Sequence, residues 1–231
     1  MSNFAIALAA ATAAPARAVR RALSSLVPER TRRFARRCAE LDSRARRVFL
    51  RQTIRRLARR ERRANSGPAA GYHHVVFVCH GNILRSAFAA ALLARELHAS
   101  HPEVVIGSGG LHARSGRSAD PRGIAAAQSL GIDLRAHLAT PLTAELVRAA
   151  DVIVVMDFEN EAECIARFPE AEAKLRFLGA FDSSRPRDSL EIPDPYTLDA
   201  AAVAHCYEDV ALCISGLRAA LLEGSRGVAG M

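Results

Sequence analysis

Val75-Val76-Phe77-Val78-Cys79-His80-Gly81-Asn82-Ile83-Leu84-Arg85-Ser86 joins an unbroken apolar run to the Ala- and Leu-rich stretch that follows it. Four consecutive apolar residues suit a strand buried on both faces. The run after Ser86 reads as a helix to about Ala99, so a thiol stands between a strand end and a helix start. In that place successive backbone N–H groups can curl into an anion-binding nest. Gly81 and Asn82 can take positive φ there, and the helix N-terminus adds partial positive charge. The loop is therefore shaped for a phosphate-like oxyanion. Arg85 can return a planar guanidinium to clamp two oxygens, and positive charge at this place favours the thiolate of Cys79 over its thiol. Ser86 can donate its hydroxyl to the sulfur. Each part alone has a plainer use: core packing for the Cys, a turn for Gly-Asn, a solvated face for the Arg. A Walker loop is excluded, since it needs G-K-[ST] and carries no nucleophile.

Working outward, strand and helix alternate. Further strands are predicted at Val104 to Ile106, Val152 to Met156 and Arg176 to Leu178. Helices are predicted at about Ser86 to Ala99, Pro121 to Leu130, Thr143 to Ala149 and Glu159 to Phe168. From Asp199 onward, Val203, Cys206, Val210, Ile214, Leu217 and Leu221 fall on one face of a last amphipathic helix. This order implies a three-layer α/β domain with a mainly parallel four-stranded sheet flanked by helices, and ligands beyond the carboxyl ends of its strands.

The sequence resembles the low-molecular-weight protein tyrosine phosphatase family. Its pattern V-C-x-G-N-x-C-R-S-P is met by Val78 to Ala87, V-C-H-G-N-I-L-R-S-A. The resemblance spans roughly Tyr72 to Glu223. Ser108-Gly109-Gly110 falls where the family has S-A-G, Gly131 to His137 and Ala150 to Asp157 match family segments in order, and Asp194-Pro195-Tyr196 looks like the family's D-P-Y loop. The resemblance implies hydrolysis of phosphotyrosine through a phosphocysteine, with Cys79 as nucleophile, Arg85 holding phosphate oxygens and Asp194 as acid and then base. His80, Gly81, Asn82, Ile83, Leu84 and Ser86 would make the binding loop, and Tyr196 would line the mouth. Ser108 and His137, with Asn82 and Ser86, would hold the loop in shape; local capping is the commoner use of Asn and Ser.

Three departures bear on redox protection and specificity. Leu84 stands where many members have a second Cys, so the local disulfide cannot form and oxidation of Cys79 is harder to reverse. Ala87 replaces Pro, and His80 replaces a usually apolar wall residue. Two other readings stay open: an arsenate reductase of the same fold, which lacks resolving cysteines at the relay spacing here, and a noncatalytic phosphate-recognising adaptor. The phosphatase chemistry needs no cofactor and no metal. His73-His74 has no ligand cluster at metal spacing around it.

The 231 residues are half hydrophobic and carry a formal net charge of +8, which divides unevenly. Residues 1–66 hold 18 Arg against 4 acidic residues, a net +14, while residues 67–231 hold 13 Arg and one Lys against 20 acidic residues, a net −6. From Pro28, which suits a first helical position, an Arg-rich stretch runs without Gly or internal Pro to Arg63 and reads as one helix. Phe34, Cys38, Leu41, Ala45, Val48, Ile54 and Leu57 would form its narrow apolar stripe. The expected organisation is an Arg-rich helical extension over 1–66, a linker over 67–71, the phosphatase-like domain over 72–223 and a tail over 224–231. The basic arm reads as a solvated or partly disordered face, and it also suits an anionic membrane surface, nucleic acid, an acidic protein or the chain's own acidic domain. A phosphotyrosine protein, such as a bacterial tyrosine kinase, is the expected substrate. Five Cys without paired short spacings point to a reducing, cytoplasmic setting, peripheral at the membrane if the arm binds there. Met1 to Ala16 is too short to span a bilayer, and its first Arg comes after the apolar run, so neither a span nor a cleaved leader is expected.

Overall fold

The computed structural model describes residues 28–59, 72–186 and 189–228. The expected linker 67–71, the rest of the extension at 1–27 and 60–66, and the last residues 229–231 lie outside them.

Two short units are helical in the N-terminal region, where one continuous helix is expected. Helix α1 runs over Glu29–Glu40, with Pro28 immediately before it rather than as its first residue. Leu41 is extended, and α2 begins anew at Ser43 and ends at Arg59. Leu41-Asp42-Ser43 supplies the side chains that favour helix starts, and this outweighs the absence of Gly and Pro. The chain divides into compact units at this point, Met1–Asp42 and Ser43–Met231.

In the larger unit the elements are β1 (His74–Cys79), α3 (Arg85–Leu97), β2 (Val105–Gly110), α4 (Pro121–Ser129), α5 (Ala144–Ala149), β3 (Val152–Val155), α6 (Phe158–Arg167), β4 (Leu175–Phe177) and α7 (Ala200–Val228). The sheet order is β2-β1-β3-β4, and every pairing is parallel. This is the expected three-layer α/β arrangement. The alternation of strand side chains sorts the core. Val75, Phe77, Val152 and Val154 face a layer that includes Phe88, Leu92, Leu93 and the buried stripe of α7. Val76, Val78, Ile153, Val155, Leu175 and Phe177 face the opposite layer with Val147, Cys164 and Ile165. The helix α7 continues past the expected end of the domain at 223 to Val228.

Two differences have clear causes. β2 extends through Ser108-Gly109-Gly110, beyond the predicted Val104 to Ile106, because small residues are needed where the sheet meets the loop after β1. A Cβ on Gly110 would lie 2.9 Å from the Asn82 nitrogen and 2.8 Å from the Ala113 Cβ. The expected apolar stripe of the Arg-rich region is also divided. Ala45 of that stripe is buried, as is Phe49 outside it, while Ile54 and Leu57 are exposed. Helix α2 packs along α6, with Val48 against the core layer there. Arg51, Gln52 and Arg55 reach the Glu172 carboxylate at 2.8–2.9 Å, and Arg56 pairs with Glu161 while its guanidinium lies 4.1 Å over the Phe158 ring.

Candidate active site

At the carboxyl end of β1 the chain leaves the sheet and turns through Cys79–Leu84 into α3. That helix starts without a side-chain cap. Its first amides thus remain directed at the loop, the arrangement that holds anions at helix N-termini. Cys79 Sγ lies 3.0 Å from Ser86 Oγ and accepts from the Asn82 N–H at 3.3 Å. Ser86 Oγ accepts from Asn82 Nδ2 at 2.9 Å, which leaves its own hydrogen to point at the sulfur.

Asn82 holds the turn. It is fully buried, and it carries the positive φ, 53°, that the loop needs. Gly81 is not among the positive-φ residues, contrary to the sequence expectation; it lines the cleft. The second hydrogen of Asn82 Nδ2 goes to Ser108 Oγ at 2.9 Å, its Oδ1 accepts from the Thr140 N–H at 2.9 Å, and its carbonyl meets His137 Nε2 at 2.7 Å. A carbonyl only accepts, so His137 Nε2 carries the proton. Every polar atom of Asn82 is therefore partnered, and Ser86, Ser108 and His137 converge on it. From behind, the Ile83 carbonyl accepts from the Asp120 N–H at 3.0 Å, and the Tyr207 ring stacks on Phe88 with centroids 4.0 Å apart.

Arg85, 1% exposed, is the most deeply placed charge. Its Nη1 donates to Asp157 Oδ2 at 2.6 Å and the Ile192 carbonyl at 3.0 Å, and its Nη2 to Asp194 Oδ2 at 2.5 Å. Burial opposes its charge, but Asp157 and Asp194 more than compensate and hold the guanidinium firmly protonated. Asp194 also accepts from the Tyr196 N–H at 3.1 Å, so the Asp194-Pro195-Tyr196 segment turns back on itself beside the loop.

A cleft of about 630 Å³ opens over these groups, lined by Cys79, His80, Gly81, Ile83, Leu84, Arg85, His112, Arg114, Arg117, Asp194 and Tyr196. Its walls are apolar at Ile83 and Leu84, and half-exposed Tyr196 stands at the mouth. Partial burial, and next the neighbouring His112, lower the pKa of His80 from its ordinary value. A nucleophile, an anion-shaped loop, a buried cation and a carboxylate thus meet in one cleft, the set required for transfer of a phosphoryl group through a covalent intermediate.

The family model for low molecular weight phosphotyrosine protein phosphatase matches residues 74–225, well over half of the chain. The chain belongs to this family: it is a low molecular weight protein-tyrosine phosphatase. The Wzb phosphatase of Salmonella typhi is 35% identical over 125 residues, covering 54% of this chain and 78% of that one. The crystal structure of the tyrosine phosphatase amsI of Erwinia amylovora superposes with a TM-score of 0.60 at 30% identity, over 69% of this chain and 99% of amsI. The YwlE arginine phosphatase of Geobacillus stearothermophilus superposes with a TM-score of 0.60 at 26% identity, over 69% and 97% of the two chains.

The structure of this phosphatase brings together all twelve residues singled out in the sequence, and adds others that the sequence reading passed over. Asp157 is one. It follows the apolar run of β3, and a carboxylate at the carboxyl end of a buried parallel strand was a signal available without the structure. His112, Arg114 and Arg117 reach the cleft on the loop after β2, for which the sequence carried no local cue.

Proposed function

We propose that Cys79 attacks the phosphorus of a phosphotyrosine side chain, that the loop amides and Arg85 hold the three non-bridging oxygens, and that Asp194 protonates the departing phenolate. The S–P bond forms as the P–O bond to tyrosine breaks. Water then attacks the phosphocysteine, Asp194 takes its proton, and phosphate leaves as the thiolate re-forms. The observation that carries this reading is the meeting of Cys79, Arg85 and Asp194 at one cleft whose loop is pinned by Asn82. An aromatic leaving group suits the walls made by Ile83, Leu84 and Tyr196. A guanidinium leaving group, as in phosphoarginine, would meet Arg85, Arg114 and Arg117, all cations. Phosphotyrosine peptide and p-nitrophenyl phosphate are therefore expected to turn over well ahead of phosphoarginine, and Cys79→Ser to abolish turnover while the protein stays folded. Undiminished turnover by Cys79→Ser removes the mechanism.

The reading extends to place and partner. A catalytic domain over 72–223 with an Arg-rich extension over 1–66 is supported by the change of composition, and α2 is the part of that extension folded onto it. On the outer side of α2, Leu50, Ile54 and Leu57 are exposed at helical spacing among arginines, which suits an anionic membrane surface better than nucleic acid. All five cysteines are free, which fits a cytoplasmic location. A membrane-associated protein bearing phosphotyrosine, a bacterial tyrosine kinase among them, is the matching substrate. Flotation of the full chain with vesicles of anionic lipid, but not neutral lipid, tests the surface.

A further inference from the structure

The backbone pairing of β1 with β2 continues past the strand ends, where the His112 N–H donates to the His80 carbonyl at 2.7 Å. This sets two imidazoles side by side on the rim of the cleft. Their ring centroids are 4.4 Å apart and their planes 22° from parallel. Glu163 rises from α6 on the far side, with Oε2 2.5 Å from His112 Nε2. One ligand atom from each of the three residues lies within 4.8 Å of the others.

We propose that His80, His112 and Glu163 form a binding site for one divalent transition-metal ion of the zinc class at the rim of the active-site cleft. Two imidazoles and a carboxylate are the donor set that zinc takes where one coordination position stays open. Tetrahedral Zn–N and Zn–O bonds of about 2.0–2.2 Å place ligand atoms roughly 3.4 Å apart, so modest side-chain rotations complete the site. The two histidines are exposed and can make them, while buried Glu163 is the fixed member. The ion would replace the hydrogen between His112 and Glu163.

A cation already sits at this place. Arg167 Nη2 lies 2.8 Å from Glu163 Oε2 and 3.0 Å from His112 Nε2, and its Nη1 donates to the Leu111 carbonyl. The metal and the guanidinium therefore compete for one carboxylate, and Arg167, about a third exposed, can swing toward solvent when the ion binds. His80 and His112 line the cleft, so the ion's open position faces it. A phosphate oxygen taken there is held at the rim, away from the loop amides, and turnover falls. This consequence rests on the cleft being the phosphatase site; the binding of the ion does not.

The test uses the full chain freed of metal with EDTA and then titrated with Zn2+. Equilibrium dialysis should show one Zn2+ per chain, the Co2+-loaded protein should show the intense visible bands of a four-coordinate N/O site, and p-nitrophenyl phosphate turnover should fall reversibly. Glu163→Gln, and independently His112→Gln, should weaken Zn2+ binding by on the order of 100-fold, at least what loss of a supporting partner costs. Arg167→Met should tighten it. Metal-free Glu163→Gln should turn over p-nitrophenyl phosphate like the parent, since Glu163 does not line the cleft. Binding unchanged in both ligand variants overturns the site, as does the absence of bound Zn2+. So does a sulfur-to-cobalt charge-transfer band that vanishes in Cys79→Ser, which would place the ion on the thiolate. Zn2+ binding that is weakened in Glu163→Gln and His112→Gln, in a protein that never shows turnover, would support this site and overturn the proposed catalysis alone.

Discussion

Arg85 Nη2 donates to Asp194 Oδ2 at 2.5 Å, so the cation proposed to hold the phosphate and the carboxylate proposed to protonate the leaving group are paired with each other before substrate arrives. A phosphate dianion would compete for that guanidinium, and each hydrogen bond it takes loosens the hold on Asp194. Substrate would thereby free this carboxyl group to turn toward the leaving oxygen. Asp194→Asn is expected to lower kcat on phenyl phosphate by about 10²- to 10⁴-fold, the usual worth of a positioned proton donor. The loss should be much smaller on p-nitrophenyl phosphate, whose phenolate leaves without a proton. KM should stay level or fall, since a competitor for Arg85 is gone. Equal losses of kcat on the two esters would assign Asp194 a role other than proton transfer.

Asp157 is the partner that keeps Arg85 in place. The guanidinium is 1% exposed, its bond to Asp157 is 2.6 Å long, and the other oxygen of that carboxylate caps α6 by accepting from the Asn160 N–H at 2.7 Å. Removing one member of a buried pair strands the other charge, which typically costs about 3–5 kcal/mol. Asp157→Asn should therefore lower stability by an amount in that range and weaken competitive inhibition by inorganic phosphate, because the guanidinium loses its orientation. Urea unfolding measures the first and the phosphate inhibition constant the second. A variant as stable as the parent with normal phosphate affinity would mean that Ile192 and Asp194 suffice to hold Arg85.

These two carboxylates show where the sequence was legible. Cys79, Arg85 and Ser86 lie in one contiguous strand-loop-helix, and local spacing reveals them. Asp194 needed the resemblance, because Asp-Pro alone is a common turn. The Asn82 network depends on Ser108, His137 and Thr140, separated from it by 26, 55 and 58 residues: β2 brings Ser108, and a segment bridged to the sheet end at Gly110–Pro141 and to Ser118 at Leu138 brings His137 and Thr140. Helix α2 misled for a different reason. An arginine face reads as solvated, yet Arg56 lies over Phe158 and Phe177 beside Glu161, so the charge covers apolar surface through its stem and its planar head.

Gly110 gives a test of the loop that leaves every proposed catalytic side chain unchanged. It pairs with Cys79 at the end of the sheet, and an added Cβ would fall 2.9 Å from both the Asn82 nitrogen and the Gly81 carbonyl carbon. Backbone on both sides cannot yield as a flexible side chain would. Gly110→Ala should push the loop out of register and lower kcat/KM by on the order of tenfold or more, since small displacements of positioned groups are costly in rate. Stability should fall by roughly 1–3 kcal/mol, the usual effect of overpacking. Parallel measurement of kcat/KM and thermal unfolding checks both, and unchanged kinetics would show that the loop shifts without consequence.

Glu172 ties α2 to the rest of its unit in a pH-dependent way. Burial opposes its charge, but the Gln52 amide and the Arg51 and Arg55 guanidinium groups prevail and hold the carboxyl below its ordinary value of 4.5. A carboxyl whose pKa is depressed in the folded protein stabilises it fully above the unfolded value, and the contribution is lost as pH falls through the folded value. Docking of α2 should therefore be constant from neutral pH down to about 4.5 and weaken below it. Because these side chains are more than a third exposed, the change is expected to be local rather than global. Hydrogen exchange at about pH 3 should show residues 43–57 gaining solvent access while β1 stays protected, after correction for intrinsic rates. Glu172→Gln should show that increase at neutral pH already and little further change on acidification. Equal protection of α2 in both proteins at both pH values would place its attachment in contacts other than those of Glu172, such as Val48, Phe49 and Arg56.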